Sequence, residues 1–345
     1  MTKLLVISSN SIHTFNFIDL VTSHFDEILL LTNNKNLEHE VSQETADFHF
    51  SPRSLLSTPR KIREIVNNFK PTHIHVHQAN SYAFYTVLAL GKRKNMVLTA
   101  WGSDIFILPK RNLFWRKIVQ FSVNRFSFLT ADSQHLADEM QKLCQSNDSK
   151  ITVVNFGIDL QPVRCDKEPI FYSNRLHKPL YRIDKVIEGF HKFITNNEDQ
   201  RWKLVIGATG DQTENIKEQV IALGLSDRVE FVGWVNAEIN RAWYARSTYW
   251  LSVPTSDATS ISLLEAMAYG CVPILSDLPS NKEWVESGVN GLIISELELA
   301  GNFLPKINSV DVKKAIVINK EIIEQRGTKE ANRQKFIDIY QQISG

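Results

Sequence analysis

The chain has 345 residues, with 39 Lys and Arg against 38 Asp and Glu for a net charge of +1, and three cysteines. That length is too great for one ordinary core and suits two domains, each large enough to bury an interior without staples. The balanced charge excludes a global field for nucleic acid; Cys144, Cys165 and Cys271, odd in number and off metal-ligand spacing, argue for a reducing cytoplasm and against a disulfide framework.

Along the chain, short apolar and β-branched runs alternate with helical patterns, which implies βαβ units and parallel sheets. MTKLLVISSNS opens with a strand-like run too short for the apolar core of a signal peptide, and nowhere do about 18 apolar residues run together to span a bilayer. The following loop, SSNSIHTFNF, places Ser11, Ile12 and His13 in a stretch without glycine. After EILLLT, the segment PTHIHVHQAN sets His73, His75 and His77 on one strand face. Three imidazoles raise the question of zinc, but no carboxylate or Cys joins them at ligand spacing, so no metal is expected. His73 and His75 read as structural, while His77 lies nearest the strand's carboxyl end.

NMVLTA is the next strand, and TAWGSD puts Asp104 after Gly102 at its end. PKRNLFWRKIVQFSVNRFSF interleaves Lys110, Arg111, Arg116, Lys117 and Arg125 with Phe114, Trp115, Ile118 and Phe121. Such a basic amphipathic helix either lies on anionic lipid or is an ordinary surface helix. ITVVN closes this half, and FGIDLQPVRCDKE carries the boundary, giving residues 1–162 to a first domain and 167–328 to a second. A terminal helix over about 329–345, KEANRQKFIDIYQQIS, has Ala331, Phe336, Ile337 and Tyr340 at helical spacing and rejoins the first domain.

In the second half PIFYS is a strand, and NRLHKPLYRIDKVIEGF supplies Arg175, a loop with Lys178 and Arg182, then a helix with Ile183, Val186, Ile187 and Phe190 on one face. WKLVIG follows, and RVEFVGWVN is a strand ending at Gly233, Trp234 and Val235. YWLSVPT is strand, SDATS is turn, and SISLLEAMAY pairs Leu263 with Met267 and Leu264 with Ala268 at i,i+4. Thr259 or Ser260 caps that helix, leaving the amides of Ser260, Ile261 and Ser262 ready for an anion such as a diphosphate. Glu265, in the second turn beside apolar neighbours, suits hydrogen bonds to ribose hydroxyls. Asp257, on the loop, projects toward whatever the diphosphate carries, a sugar by preference. Helix ends contribute only about 0.3 to 1 kcal/mol per exposed charge, so side-chain cations are also needed.

SDATSISLLEAMAYG, an acid, seven residues, then Glu followed by Ala, resembles the signature of retaining GT-B glycosyltransferases of family 4. The continuation GCVPILSDLPSNKEWVESGVNGLI resembles it too, with Glu283 in the place of a helix-starting acid, and the similarity covers almost the entire chain. The resemblance implies an α/β GT-B fold, two doubly wound Rossmann-like domains facing an interdomain cleft. Its first acid, here Asp257 in place of the commoner Glu, grips the donor sugar, and its second, Glu265, grips the ribose. Arg175 resembles the Arg of its Gly-Arg-Leu motif, with Asn174 where Gly is usual. The second phosphate cation is Lys178 or Arg182, Arg182 being favoured at the helix entrance. Gly233, Trp234 and Val235 stand where the base is held, though Trp234 equally suits packing between domains. His77 resembles the His beside the reacting centre, and Ser11 and His13 occupy the place of a glycine-rich loop. Asp104 resembles an acceptor-side acid, or caps the next element.

The resemblance therefore implies a metal-independent, retaining hexosyltransferase without a cofactor. It uses a nucleotide diphosphate sugar, UDP favoured over GDP, and a glycan or lipid-linked glycan acceptor of surface polysaccharide, lipopolysaccharide or other glycoconjugate. It works in the cytoplasm, with peripheral contact at the inner face of the membrane if the basic helix lies on lipid. Two other classes are weighed: a non-catalytic nucleotide-sugar or glycan-binding subunit that keeps the fold, and a nicotinamide dehydrogenase, disfavoured because no G-x-G-x-x-G follows any strand.

Overall fold

Strands that read as continuous apolar runs need cover on both faces, and parallel sheets flanked by helices provide it. The computed structural model describes residues 1–145, 150–163, 165–197, 201–301 and 303–344, and it divides into two such units. The first holds residues 1–156 with 329–345, the second 157–328. Residue 345 of the expected terminal helix lies outside the described residues.

In the first unit β1 (Lys3–Ile7), β2 (Glu27–Thr32), β3 (Ser42–Thr45), β4 (His73–His77), β5 (Arg93–Thr99), β6 (Phe126–Ala131) and β7 (Lys150–Val153) lie in the order β3-β2-β1-β4-β5-β6-β7. The second has β8 (Glu168–Ser173), β9 (Lys203–Gly207), β10 (Val229–Gly233), β11 (Ser247–Ser252), β12 (Val272–Ser276) and β13 (Leu292–Ile294) in the order β10-β9-β8-β11-β12-β13. Every pairing is parallel. Winding reverses between β1 and β4, and again between β8 and β11. Sheets of this kind bind ligands outside the carboxyl ends of the strands at such points.

The helix Ile183–Asn196 shows how pattern becomes packing: Ile183, Val186, Ile187, Phe190 and Phe193 are all buried, against β8, β9 and β11 residues such as Phe171, Leu204 and Leu251. The terminal helix Lys329–Ser344 packs its 332/336/339/340 face onto the first unit, so the buried isoleucine is Ile339, whereas Ile337 is half-buried. Buried Asn332 joins that face by accepting from the Asn155 amide at 3.3 Å.

Four expectations shift. The chain changes unit at Gly157 rather than near 162, because Ile158 is already committed to the second unit: its amide donates to Gly327 O at 3.0 Å, and its side chain sits in a core with Tyr172 and Trp250. The basic helix is shorter, Leu113–Val123. Arg125 lies past its end with its guanidinium folded over Phe121 at 3.7 Å, and FSFLTA beyond it is β6. Glu283 closes rather than starts a helix, following Pro279–Lys282 as its C-terminal cap residue. Two further strands, β3 and β13, join the sheets. Among the described residues no helix is long and apolar enough to cross a membrane.

Candidate functional site

At the β8/β11 switch point, two residues past β8, Arg175 is 9% exposed. A guanidinium so far from water needs partners. Its Nη2 donates to Asp257 Oδ2 at 2.6 Å, Nη1 donates to Ser260 Oγ, and its plane lies 4.5 Å over the Tyr181 ring. The Ala258 amide donates to the other Asp257 oxygen at 3.1 Å. The fold thus brings Arg175, Asp257 and Ser260 together, although Arg175 lies 82 positions from Asp257 in sequence.

Ser260 occupies the cap position of the helix Ile261–Ala268, yet its side chain does not cap it. Its hydroxyl is turned to Arg175, and the Thr259 hydroxyl accepts from Trp284 Nε1 at 3.2 Å. Expected caps are therefore used elsewhere, and the first-turn amides of Ile261 and Ser262 have no i−4 carbonyl to meet. An open helix start with a buried guanidinium beside it is a seat for an anion.

Glu265 is half-buried on the same helix, its Oε2 accepting from Tyr244 Oη at 3.1 Å and from Asn240 Nδ2 at 3.4 Å. Burial raises its pKa, while the Tyr244 hydrogen bond and the charge of Arg241 act the other way. Asn174, Tyr172 and Trp250 extend this network beneath the site. Of these only Asn174 was named from sequence, as a departure from Gly and with no role, and Asn240 with Tyr244 at i,i+4 was the available signal for the rest.

Arg182, the favoured second cation, is engaged otherwise. With φ of 51° it starts the helix Ile183–Asn196, donates from Nε to Val253 O at 2.6 Å and from Nη2 to Pro254 O at 3.0 Å, and pairs with Glu296 at 2.8 Å. It clamps the end of β11 with its charge neutralised. Lys178 is exposed and, among the described residues, in no ion pair. Lys178 and Arg182 border a pocket of about 250 Å3 with Asp184, Asn215 and Gln219. Gly233 ends β10 at φ +64°, where its carbonyl accepts from the Ala208 amide at 2.7 Å. Trp234 next to it is 74% exposed, and Val235 is half-buried.

In the first unit the candidates go to different uses. Ser11 caps the helix Ile12–Val21, its Oγ accepting from the His13 amide at 3.3 Å, and Ile12 is exposed. Asp104 is buried and tied to the loops after β4 and β5: Oδ2 accepts from the Ala79 amide at 2.6 Å and Oδ1 from the Trp101 amide at 3.0 Å. Both oxygens thus serve loop closure, and Asp104 does not cap the short helix Ser103–Phe106, whose cap residue is Gly102. His75 bonds Tyr340 Oη and Thr99 Oγ1, both at 2.6 Å, and His73 bonds Tyr340 O at 3.1 Å, so these two rings dock the terminal helix. His77 is fully buried, with Nδ1 accepting from Trp101 Nε1 at 3.0 Å, which places its own proton on Nε2, an atom with no partner among the described residues. Burial and the nearby His13 lower its pKa to about 3, so it is neutral at physiological pH. His13 is exposed, with its ring edge-on to Trp101 at 5.5 Å.

Comparison with known proteins bears on both units. The model for glycosyl transferases group 1 matches residues 161–310, and that for glycosyl transferase 4-like proteins matches 3–133. A GDP-mannose:cellobiosyl-diphosphopolyprenol alpha-mannosyltransferase of Xanthomonas oryzae is 23% identical over 237 residues, 64% of this chain and 60% of that one. The O-antigen chain mannosyltransferase RfbU of Salmonella typhimurium is 24% identical over 204 residues, 56% of each. This chain thus spans about 60% of the length of the first of these relatives. Among solved structures, Anabaena HepE in complex with UDP superposes with a TM-score of 0.81 at 17% identity, covering 99% of this chain and 100% of that one. Sucrose-phosphate synthase from Thermosynechococcus elongatus gives 0.81 at 12% identity over 99% of both. At such identities the structural likeness speaks for the fold, and the family models speak for descent. Since one model covers most of each unit, the chain belongs to the GT-B glycosyltransferases, its first unit family 4-like and its second of glycosyl transferases group 1.

Proposed function

We propose that this protein is a retaining, metal-independent hexosyltransferase that moves a sugar from a nucleotide diphosphate donor to a glycan or lipid-linked glycan acceptor. The observation that carries the reading is the convergence of buried Arg175 on the uncapped start of the helix Ile261–Ala268, with Asp257 and Glu265 flanking it. The helix start and Arg175 take the diphosphate and stabilise the charge that grows on it as the glycosidic bond breaks. Asp257, now holding the guanidinium, reaches the sugar hydroxyls, and Glu265 takes the ribose. Because Asp257 offsets Arg175 and Glu296 offsets Arg182, Lys178 is the loop's remaining candidate for a second phosphate contact. Exposed Trp234 offers its face to the base. On the acceptor side, neutral His77 holds its Nε2 proton as a hydrogen-bond donor, with His13 in the neighbouring loop.

Four relatives are named as mannosyltransferases, two of them with GDP-mannose, whereas solved neighbours carry UDP or UDP-glucose. GDP-mannose is therefore the first donor to test and UDP-glucose the second. Lipid-linked acceptors named among the relatives agree with the surface of the first unit, where Leu113 and Phe114 are 76% and 59% exposed beside Lys110, Arg111, Arg116 and Lys117, with no acidic residue between Asp104 and Asp132. Such a face suits an anionic membrane surface.

A thermal-shift panel of GDP, UDP and their sugars, followed by transfer from a radiolabelled donor that stabilises the protein, tests the reading. A preferred nucleotide with sugar release or transfer is expected. Nucleotide binding without turnover of any donor favours the non-catalytic subunit, and no nucleotide binding at all sinks the proposal.

A further inference from the structure

Every hydrogen bond in the network below Glu265 points the same way. An indole N–H only donates, so the bond from Trp250 Nε1 to Asn174 Oδ1, 2.9 Å, fixes which way the Asn174 amide faces. Its Nδ2 then donates to Asn240 Oδ1 at 3.0 Å and to Tyr244 Oη at 2.7 Å, one proton for each. Tyr172 Oη also donates to Asn240 Oδ1, at 2.7 Å, which turns Asn240 Nδ2 toward Glu265 Oε2. Tyr244, having accepted from Asn174, donates to the same Oε2. The chain of donors begins at an indole, branches at Asn174 and ends on one carboxylate oxygen. Oε1 takes no part in it.

We infer that Asn174 is a positioning residue: through Asn240 and Tyr244 it holds Glu265 by Oε2 alone, fixing the carboxylate so that Oε1 is presented to the donor's ribose. This rests on the reading of Glu265 as the donor-side acid. Room for the network comes from β9, whose last residue is Gly207; a Cβ there would stand 3.1 Å from Tyr172 Oη and 3.4 Å from Asn174 Cβ. Burial disfavours the ionised form, and the Tyr244 hydrogen bond on Oε2 favours it. The charged and titratable groups facing Glu265 are Arg241, which favours ionisation, and Tyr172, Tyr244 and Tyr269, whose own ionisation Glu265 disfavours.

The test separates shape from donation. Asn174→Asp keeps the volume and the bond from Trp250 but has no protons for Asn240 and Tyr244; Asn174→Gly removes the whole group. In ligand-free protein, with melting curves to establish folding, the Glu265 carboxyl is titrated by carbon-13 NMR, its signal assigned by loss in Glu265→Gln. Asn174→Gly, which adds no charge, is expected to raise its pKa by about one unit, and Asn174→Asp by more, since its carboxylate adds like-charge repulsion. GDP and UDP affinities are then measured calorimetrically in a cycle of Asn174→Gly, Glu265→Gln and the double variant. About tenfold weaker binding is expected in Asn174→Gly, with no further loss once Glu265 is already Gln. An unchanged Glu265 titration in Asn174→Gly, or an equal affinity loss with and without Glu265, overturns the positioning role. A shifted titration with unchanged nucleotide affinity supports the grip on Oε2 and instead refutes Glu265 as the donor-side acid.

Discussion

The carboxyl edges of the two sheets carry similar lists of residues, a caught acid, serines at helix starts and buried rings, and use them differently. In the first unit Ser11 caps its own helix, Asp104 closes two loops through their amides, and His73 and His75 dock the returning helix through Tyr340. In the second, Ser260 is drawn off its cap by Arg175, and Thr259 by Trp284, so the helix start stays open. A polar residue at a strand end becomes part of a site when its hydrogen-bonding capacity is not exhausted by the fold. Capping chemistry alone cannot reveal which case holds, because the sequence signal for a capped and an uncapped start is the same serine or threonine.

The comparison breaks most sharply if the two acids exchange roles. Asp257→Ala and Arg175→Ala should each cost on the order of 10²–10³-fold in transfer rate, the range for removing one preorganised electrostatic contact, and each should also lower the melting temperature, because the partner left behind is poorly solvated. Asp104→Ala should cost stability without the loss of transfer. It strands the buried amides of Ala79 and Trp101, at about 1–3 kcal/mol for each. Activity measured well below the melting point, set beside calorimetric melting of all three variants, decides it; a folded, inactive Asp104→Ala would return that residue to the acceptor side.

What the sequence made legible follows the same division. Apolar runs located most of the strands among the described residues because buried parallel strands must be apolar on both faces. β3 escaped because SQET, a polar sheet-edge strand, pairs only by its backbone, and β13 because three residues are too few to show a period. β6 was absorbed into the basic helix, since Phe126 and Phe128 continue the spacing of aromatic and basic residues before it. The shared winding order of the two units left no repeat in the sequence, as topology needs only apolar runs in the right places. At the site, Arg175, Asp257 and Glu265 were named by spacing and resemblance, and the fold brings Arg175 against Asp257 and Ser260. Arg182 misled because a cation at a helix entrance looks the same whether it faces a phosphate or the carbonyls of Val253 and Pro254.

Acid should separate the units next. His75 and His77 are buried with pKa values depressed below the ordinary 6.5, His77 to about 3, mainly by desolvation. Above pH 6.5 both are neutral folded or unfolded, and they add no pH dependence. As pH falls below 6.5 the unfolded chain takes protons that the folded unit refuses, so stability drops by roughly 1.4 kcal/mol per pH unit for each ring, continuing toward pH 3 for His77. Asp104 in the same unit opposes this, since its buried carboxyl has a raised pKa and binds a proton more readily in the fold. In the second unit Glu265 also has a raised pKa and gains from acid, while buried His177, whose pKa is lowered by desolvation, works against it. Hydrogen exchange between pH 7 and 5 should therefore show protection lost first in β4 and the terminal helix. Equal loss in both units would mean that the histidine stripe does not control the first unit's stability.

The smallest effect sharpens the comparison from the ligand's side. Trp234 follows Gly233, whose positive φ turns the chain at the end of β10 and leaves the indole 74% exposed, with no packing inside its own unit to lose. On the proposed reading, with the base held at Trp234, the indole adds stacking worth about 0.5–1.5 kcal/mol for aromatic pairs. Trp234→Ala should then weaken GDP or UDP binding by roughly three- to tenfold, leave the melting temperature of the free protein unchanged, and barely alter affinity for inorganic pyrophosphate, which has no base to stack. Equal weakening for nucleotide and pyrophosphate would show that Trp234 acts on the phosphate seat. A lower melting temperature with no change in either affinity would mean that the ring is structural, and that the second unit, like the first, uses that position for assembly.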